Sequence, residues 1–145
     1  MKYRKGVFCV VYKKTKSGIK YLVLHRKLHW VGWEFIKGGL KSREKKENAV
    51  AREVKEEIGY KIKNMIKFNL SGKYRYNKKL LDRKQFLGQT YNLFAVEADD
   101  KKIKLDKKEH DNYKWLKFSD AYKILSWPNQ KKCLKIVDIY INSVK

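Results

Sequence analysis

The chain has 145 residues, 43% of them hydrophobic, and a formal net charge of +22. That length fits one domain with a real core over residues 1–145, and the apolar content excludes a disordered chain despite the charge. Of the 37 basic residues only six are Arg, and the Lys are spread throughout. Readers of phosphate and base edges lean on the Arg fork, so the excess reads first as compositional bias and second as a nucleic-acid footprint.

Val7–Tyr12 and Tyr21–Leu24 are β-branched or aromatic runs separated by Lys-Thr-Lys-Ser-Gly, which predicts a hairpin or short loop. Trp33-Glu-Phe-Ile36 is a short extended piece running into the Gly38-Gly39 turn. A helix is predicted from Ser42, as N-cap, to Gly59, as C′ residue, with an inner stripe of Glu47/Ala51, Val50, Val54 and Ile58. Further strands are predicted at Met65–Tyr76, Gln85–Ala98 and Tyr113–Phe118, with Asn77–Lys84 as a basic connecting loop. Ser119–Leu125 reads as a short capped helix, and Pro128 opens a last helix with Leu134, Ile136, Val137, Ile139 and Tyr140 on its apolar side. The fold class that follows is α+β, a mixed sheet flanked by helices.

Cys9 and Cys133 have no metal or disulfide spacing and read as reduced core thiols. The N-terminal apolar run Val7–Tyr12 is too short for a signal peptide or membrane span, so the expected compartment is the cytoplasm, with no membrane partner. Oligomeric state is not legible; a monomer is the simplest expectation.

The chemistry concentrates between Gly38 and Tyr60. Gly38-Gly-Leu-Lys-Ser-Arg-Glu44 leads, after seven residues, to Arg52-Glu53-Val54-Lys55-Glu56-Glu57-Ile58-Gly59-Tyr60. On a helix, Glu53, Glu56 and Glu57 fall within an arc of roughly 100°. Three such carboxylates repel one another unless a cation sits among them. Hard oxygen ligands of this kind suit Mg²⁺ or Mn²⁺, ions that escort phosphate substrates. The competing reading is a solvated Arg/Glu helix face with i,i+4 pairs such as Arg52–Glu56.

The pattern Gly-x5-Glu-x7-Arg-Glu-(aliphatic)-x-Glu-Glu-x-Gly-(aliphatic) resembles the signature of the Nudix hydrolases, which cleave nucleoside diphosphates linked to another moiety. Gly38, Glu44, Arg52, Glu53, Val54, Glu56, Glu57 and Gly59 fill its fixed positions; Tyr60 stands where an aliphatic residue is usual. The resemblance implies an α/β/α sandwich carrying the Nudix loop-helix. It also implies Glu53 and Glu57 as metal ligands, Glu56 as a further ligand or the base, and the Gly38 carbonyl as another ligand. Glu44 and Arg52 would orient the carboxylates.

Trp33-Glu-Phe-Ile-Lys37-Gly-Gly is similar to the Trp-x-x-Pro-Lys-Gly stretch of many Nudix enzymes and nominates Lys37 for phosphate, with Ile36 replacing the usual Pro. Glu109-His-Asp-Asn-Tyr-Lys-Trp115-Leu resembles a segment of the asymmetric diadenosine tetraphosphate hydrolases, which nominates Glu109 near the metals. By the same resemblance Tyr91, with Tyr76 or Tyr74, would stack on adenine, against the alternative of cross-strand packing. The His that this family has before the tryptophan is Gly32 here, with His29 three residues earlier. The expected activity is Mg²⁺-dependent hydrolysis of a dinucleoside polyphosphate, diadenosine tetraphosphate to ATP and AMP. The rivals are an RNA 5′-end pyrophosphohydrolase, cleaning of other phosphoanhydrides, and a non-catalytic nucleotide- or RNA-binding module.

Overall fold

The computed structural model describes residues 2–62, 64–76, 84–99 and 101–144, and the predicted Asn77–Lys84 loop falls almost wholly outside them. The two N-terminal apolar runs become β2 (Gly6–Thr15) and β3 (Gly18–Arg26), an antiparallel hairpin in the register Tyr12↔Tyr21 and Thr15↔Gly18. Gly18 takes a positive φ of 116° in closing it, a conformation that costs glycine little. The expected strands β6 (Asn64–Arg75), β7 (Phe86–Glu97) and β8 (His110–Leu116) all form. β1 (Lys2–Arg4) was not predicted; its three polar residues carry no pattern, and parallel pairing with β7 makes it a strand.

β7 pairs β2 in parallel (Val7↔Asn92 to Tyr12↔Glu97) and β6 antiparallel, while β8 lies antiparallel on β3 (Leu22↔Trp115, Arg26↔His110). The result is a mixed sheet. Its central strands alternate between two covered faces, so they read as continuous apolar runs. Val7, Cys9, Val11, Leu22, Leu24, Phe94 and Val96 face one side, with α1 (Lys46–Ile58) packed on them through Ala49, Val50, Val54 and Ile58. Phe8, Val10, Tyr12, Tyr21, Val23, Leu93 and Ala95 face the other, covered by α2 (Phe118–Ile124) and α3 (Pro128–Ser143). The expected α/β/α sandwich is therefore present. Among the described residues no helix is long and apolar enough to cross a membrane. Both cysteines are buried free thiols in opposite layers, and burial pushes the Cys9 thiol up.

Two local expectations need correction. The first helix starts at Lys46, not near Ser42. Residues 41–44 close a turn instead: the Glu44 amide donates to the Lys41 carbonyl (3.0 Å), the Lys41 amide donates to the Glu44 carboxylate (2.9 Å), and Arg43 sits at φ 63°. The inner stripe also differs, because Glu47 and Ala51 are exposed and Ala49 takes their place. At the other end Gly59 caps the helix as expected, at φ 75°, its amide donating to the Lys55 carbonyl. Tyr60 is buried in the α1-side core, and its hydroxyl donates to the Lys101 carbonyl.

The extended piece around Trp33 positions the site by dividing in two. β4 (Gly32–Glu34) pairs with β3, Leu24 opposite Glu34. β5 (Ile36–Gly39) then pairs with β2, Phe8 opposite Lys37 and Val7 opposite Gly38. Phe35, 1% exposed and edge-on to Phe8 at 5.2 Å, anchors the crossing.

Candidate active site

Three pieces of chain converge beside α1. They are the β4–β5 segment with Glu34, Lys37 and Gly38, the turn ending in Glu44, and the start of β8 with Glu109 and His110 just before and within it. Gly38 and Glu53 approach so closely that a methyl group on Gly38 would push the Glu53 carboxyl out of its place. The Gly38 carbonyl accepts a hydrogen bond from the Gln89 amide at 3.4 Å.

Arg52 organises the outer half. It grips Glu44 with two hydrogen bonds (Nε 2.9 Å, Nη2 2.8 Å), donates to Glu53 (2.8 Å) and to the Gly39 carbonyl (2.9 Å), and reaches Glu56 at 3.5 Å. The Arg52 hydrogen bond, against a smaller burial penalty, holds Glu44 at about 2. Glu53 behaves in the opposite way. Burial raises it to about 7 against the pull of Arg52, and the charges of Glu57 and Glu56 push the same way as burial. Glu53 and Glu57 are buried on the inner side of α1, while Glu56 is half exposed at its edge.

A second network lies beneath, and its members Arg26, Glu34 and His110 carried no expected role. His110 lies between two carboxylates, with Nδ1 3.0 Å from Glu57 Oε2 and Nε2 2.7 Å from Glu34 Oε2. Arg26 Nη1 donates to the same Glu34 oxygen at 3.0 Å and stands 3.9 Å from Glu109; Lys37 Nζ lies 3.3 Å from Glu34 Oε1. Arg26, Glu34 and His110 are each at most 3% exposed. Burial alone would raise Glu34, but Lys37, the His110 hydrogen bond and Arg26 outweigh it and hold it at about 2. Burial likewise opposes charge on His110, yet the two carboxylates bring it up to about 9. Burial raises Glu57, more strongly than its His110 hydrogen bond lowers it. The sequence did hold one signal of this layer: Glu34 is a lone acid in an apolar run of an acid-poor chain.

Of the residues nominated from sequence, Gly38, Glu44, Arg52, Glu53 and Glu56 are linked through Arg52 or direct approach, and Glu57 meets Glu109. Lys37 joins them through Glu34, its ammonium 5.2 Å from the Tyr74 ring centre and 5.5 Å from that of Trp30. Tyr76 reaches the Gly38 loop through Gln89, its hydroxyl 3.4 Å from the Gln89 amide oxygen. Tyr91 is the exception. It is 9% exposed and stacked on Phe8 at 3.9 Å inside the α3-side core, so it packs the sheet and offers no free face to a base.

The donor set fits a divalent cation. Carboxylate oxygens of Glu57 and Glu109 lie within 4.8 Å of each other beside the His110 ring, and Glu53 is a buried carboxylate held among like charges. Hard oxygen donors dominate, as such ions require.

The model of the NUDIX domain family matches residues 2–135. The chain belongs to this family. It is a Nudix pyrophosphohydrolase, and enzymes of this family use divalent metal ions on nucleotide-containing substrates. The chain is 29% identical over 143 residues to an RNA pyrophosphohydrolase of a Nitratiruptor species, covering 92% of each. Among solved structures it resembles the Ap4A hydrolase binary complex of C. elegans (TM-score 0.75, 22% identity, 97% of this chain and 98% of that one). It also resembles the E. coli dihydroneopterin triphosphate pyrophosphohydrolase (TM-score 0.78, 19% identity, 93% and 96%).

Proposed function

We propose that this Nudix enzyme hydrolyses the 5′-terminal triphosphate of RNA, releasing pyrophosphate and leaving a 5′-monophosphate. The observation that carries this over the dinucleotide reading is Tyr91. With its ring stacked in the core at 3.9 Å from Phe8, the pair of tyrosines expected to stack on adenine is incomplete. A full-length relative described as an RNA pyrophosphohydrolase and the +22 charge support the same substrate. The second reading, cleavage of diadenosine tetraphosphate to ATP and AMP, is favoured by Trp30 and Tyr74 beside Lys37, with Tyr76 next to them.

Glu53, Glu57 and the Gly38 carbonyl would hold Mg²⁺, or Mn²⁺ in its place, with Glu56 as a further ligand or as the base. When bound, the ion neutralises phosphate oxygens and makes water a better nucleophile. Arg52 and Glu44 keep the outer carboxylates in register. Glu109 faces Glu57 from the β8 side, where it can orient water or a ligand. Lys37, held between two aromatic rings, supplies a fixed cation for the polyphosphate.

The test is a turnover panel in Mg²⁺ with 5′-triphosphate RNA, diadenosine tetraphosphate, ADP-ribose and 8-oxo-dGTP, and Glu57→Gln as control. Pyrophosphate from RNA, lost in the variant and falling steeply with salt, is the expected result. ATP and AMP from the dinucleotide at higher kcat/KM would install the second reading. Binding of RNA with no turnover on any compound would return the non-catalytic module.

A further inference from the structure

Glu57 occupies an awkward place for a carboxylate. It is buried one residue from the C-terminal end of α1, where the helix dipole disfavours negative charge, and it shares its face with Glu53. Arg52, which steadies Glu44, Glu53 and Glu56, makes no hydrogen bond to it among the contacts described. What does reach Glu57 is the His110 ring, from a different layer of the molecule.

We propose that His110 is the positioning residue for Glu57, and that Glu34 is the anchor that makes it one. The ring spans the two carboxylates, one on each nitrogen, at 3.0 and 2.7 Å. Both ring nitrogens are thus engaged by carboxylate oxygens, Nδ1 by Glu57 and Nε2 by Glu34, and neither is left over for a metal. His110 therefore orients a ligand and is not one itself. The ring holds Oε2 of Glu57, and Glu109 faces the same carboxyl group.

The ring cannot swing away, because Glu34 is itself pinned: Arg26 donates to the oxygen that His110 uses, and Lys37 faces the other oxygen at 3.3 Å. Backbone pairing fixes the ends of this chain. Arg26 and His110 are partners across β3 and β8, and Glu34 sits opposite Leu24 on the same β3. One buried line, Lys37–Glu34–His110–Glu57, thus ties the cation proposed for phosphate to a carboxylate proposed for metal. The inference rests on the reading of Glu57 as a metal ligand.

The experiment is Mn²⁺ binding to the full chain without substrate, followed by the EPR signal of free Mn²⁺, in wild type, Glu57→Gln, His110→Ala and His110→Gln. His110→Ala is expected to bind Mn²⁺ about 10–100-fold more weakly, the usual loss when a partner orienting a ligand is removed. His110→Gln, which keeps an N–H donor, recovers part of that loss, and it carries the test if the alanine variant does not fold. Electron spin echo modulation of bound Mn²⁺ in wild type should show no directly bonded nitrogen. Wild-type affinity in a folded His110→Ala, alongside a loss in Glu57→Gln, overturns the positioning role alone. A directly bonded nitrogen that disappears in His110→Ala makes the histidine a ligand and also overturns it. Unchanged affinity in Glu57→Gln removes the underlying reading of Glu57, and the proposal with it.

Discussion

Two ion networks meet at α1, and they differ in every respect but their endings. The outer one runs from Arg52 to Glu44, Glu53 and Glu56, partly exposed and built within one stretch of sequence. The inner one runs from Arg26 through Glu34 and His110 to Glu57, almost wholly buried and gathered from three separate strands and the helix. Solvent screens the first, so its worth lies in holding geometry more than in stability. The second sits in low dielectric, where an intact set of partners is tolerable and a broken one is expensive. The lesson is that one helix presents carboxylates supported by two unlike methods.

The comparison can be broken first at its shared end. Glu57→Gln should lower turnover about 10⁴-fold, roughly 5 kcal/mol of barrier, with the folded state retained; steady-state kinetics beside circular dichroism checks both. A loss below tenfold would detach Glu57 from the chemistry. Arg26→Leu should next destabilise the protein by about 3–5 kcal/mol, the cost of leaving a buried partner unpaired. Urea unfolding measures it, and a cost under about 1 kcal/mol would mean that the inner network behaves like a surface one.

Arg52→Leu is the matching change outside. Its stability cost should be about 1 kcal/mol, while turnover falls about 10–100-fold because Glu53 and the Gly39 loop lose their common clamp. Equal effects on both quantities would erase the distinction between the networks.

Glu44 sharpens the outer network further. Its folded value of about 2 lies below the ordinary 4.5, so the charged form is favoured by folding. The stability it contributes is complete above pH 4.5 and is lost as pH falls toward 2. Glu44→Gln should therefore be less stable at neutral pH and lose less on acidification across that window, read as denaturation midpoints from about pH 7 to pH 2. Smallest of all, Tyr91→Phe should leave KM within about 0.5 kcal/mol, roughly twofold. A larger rise would place the tyrosine hydroxyl against the substrate.

The sequence revealed the outer network and concealed the inner one for a physical reason. Glu44, Arg52, Glu53 and Glu56 are joined by short spacings on a loop and a helix, so their proximity follows from about 3.6 residues per turn. Arg26, Glu34, His110 and Glu57 meet through strand register, and Arg26 opposite His110 is a pairing that no spacing announces. The strands themselves were legible because both sheet faces are covered and their runs are apolar throughout. β1 was not, since Lys2-Tyr3-Arg4 is a strand only by pairing with β7. Ser42 misled as a cap because its good chemistry was outweighed by Glu44, whose side chain closes a turn and then binds Arg52. Tyr91 was ambiguous because an aromatic on a strand looks the same whether it faces a ligand or Phe8.

The central position of β7 has a consequence for the birth of the molecule. β7 is the strand on which β1, β2 and β6 all pair, yet it begins at Phe86, well after the residues of the outer network have been made. His110 comes later still, and at about 5–20 residues per second a ribosome needs several seconds to travel from Ile58 to β8. Throughout that interval Glu57 is without the His110 ring that reaches it in the finished fold. The pairings that complete the fold are between distant residues, which is the slow kind. With His110 in its proposed positioning role, hydrolytic competence is among the last properties the growing polypeptide acquires.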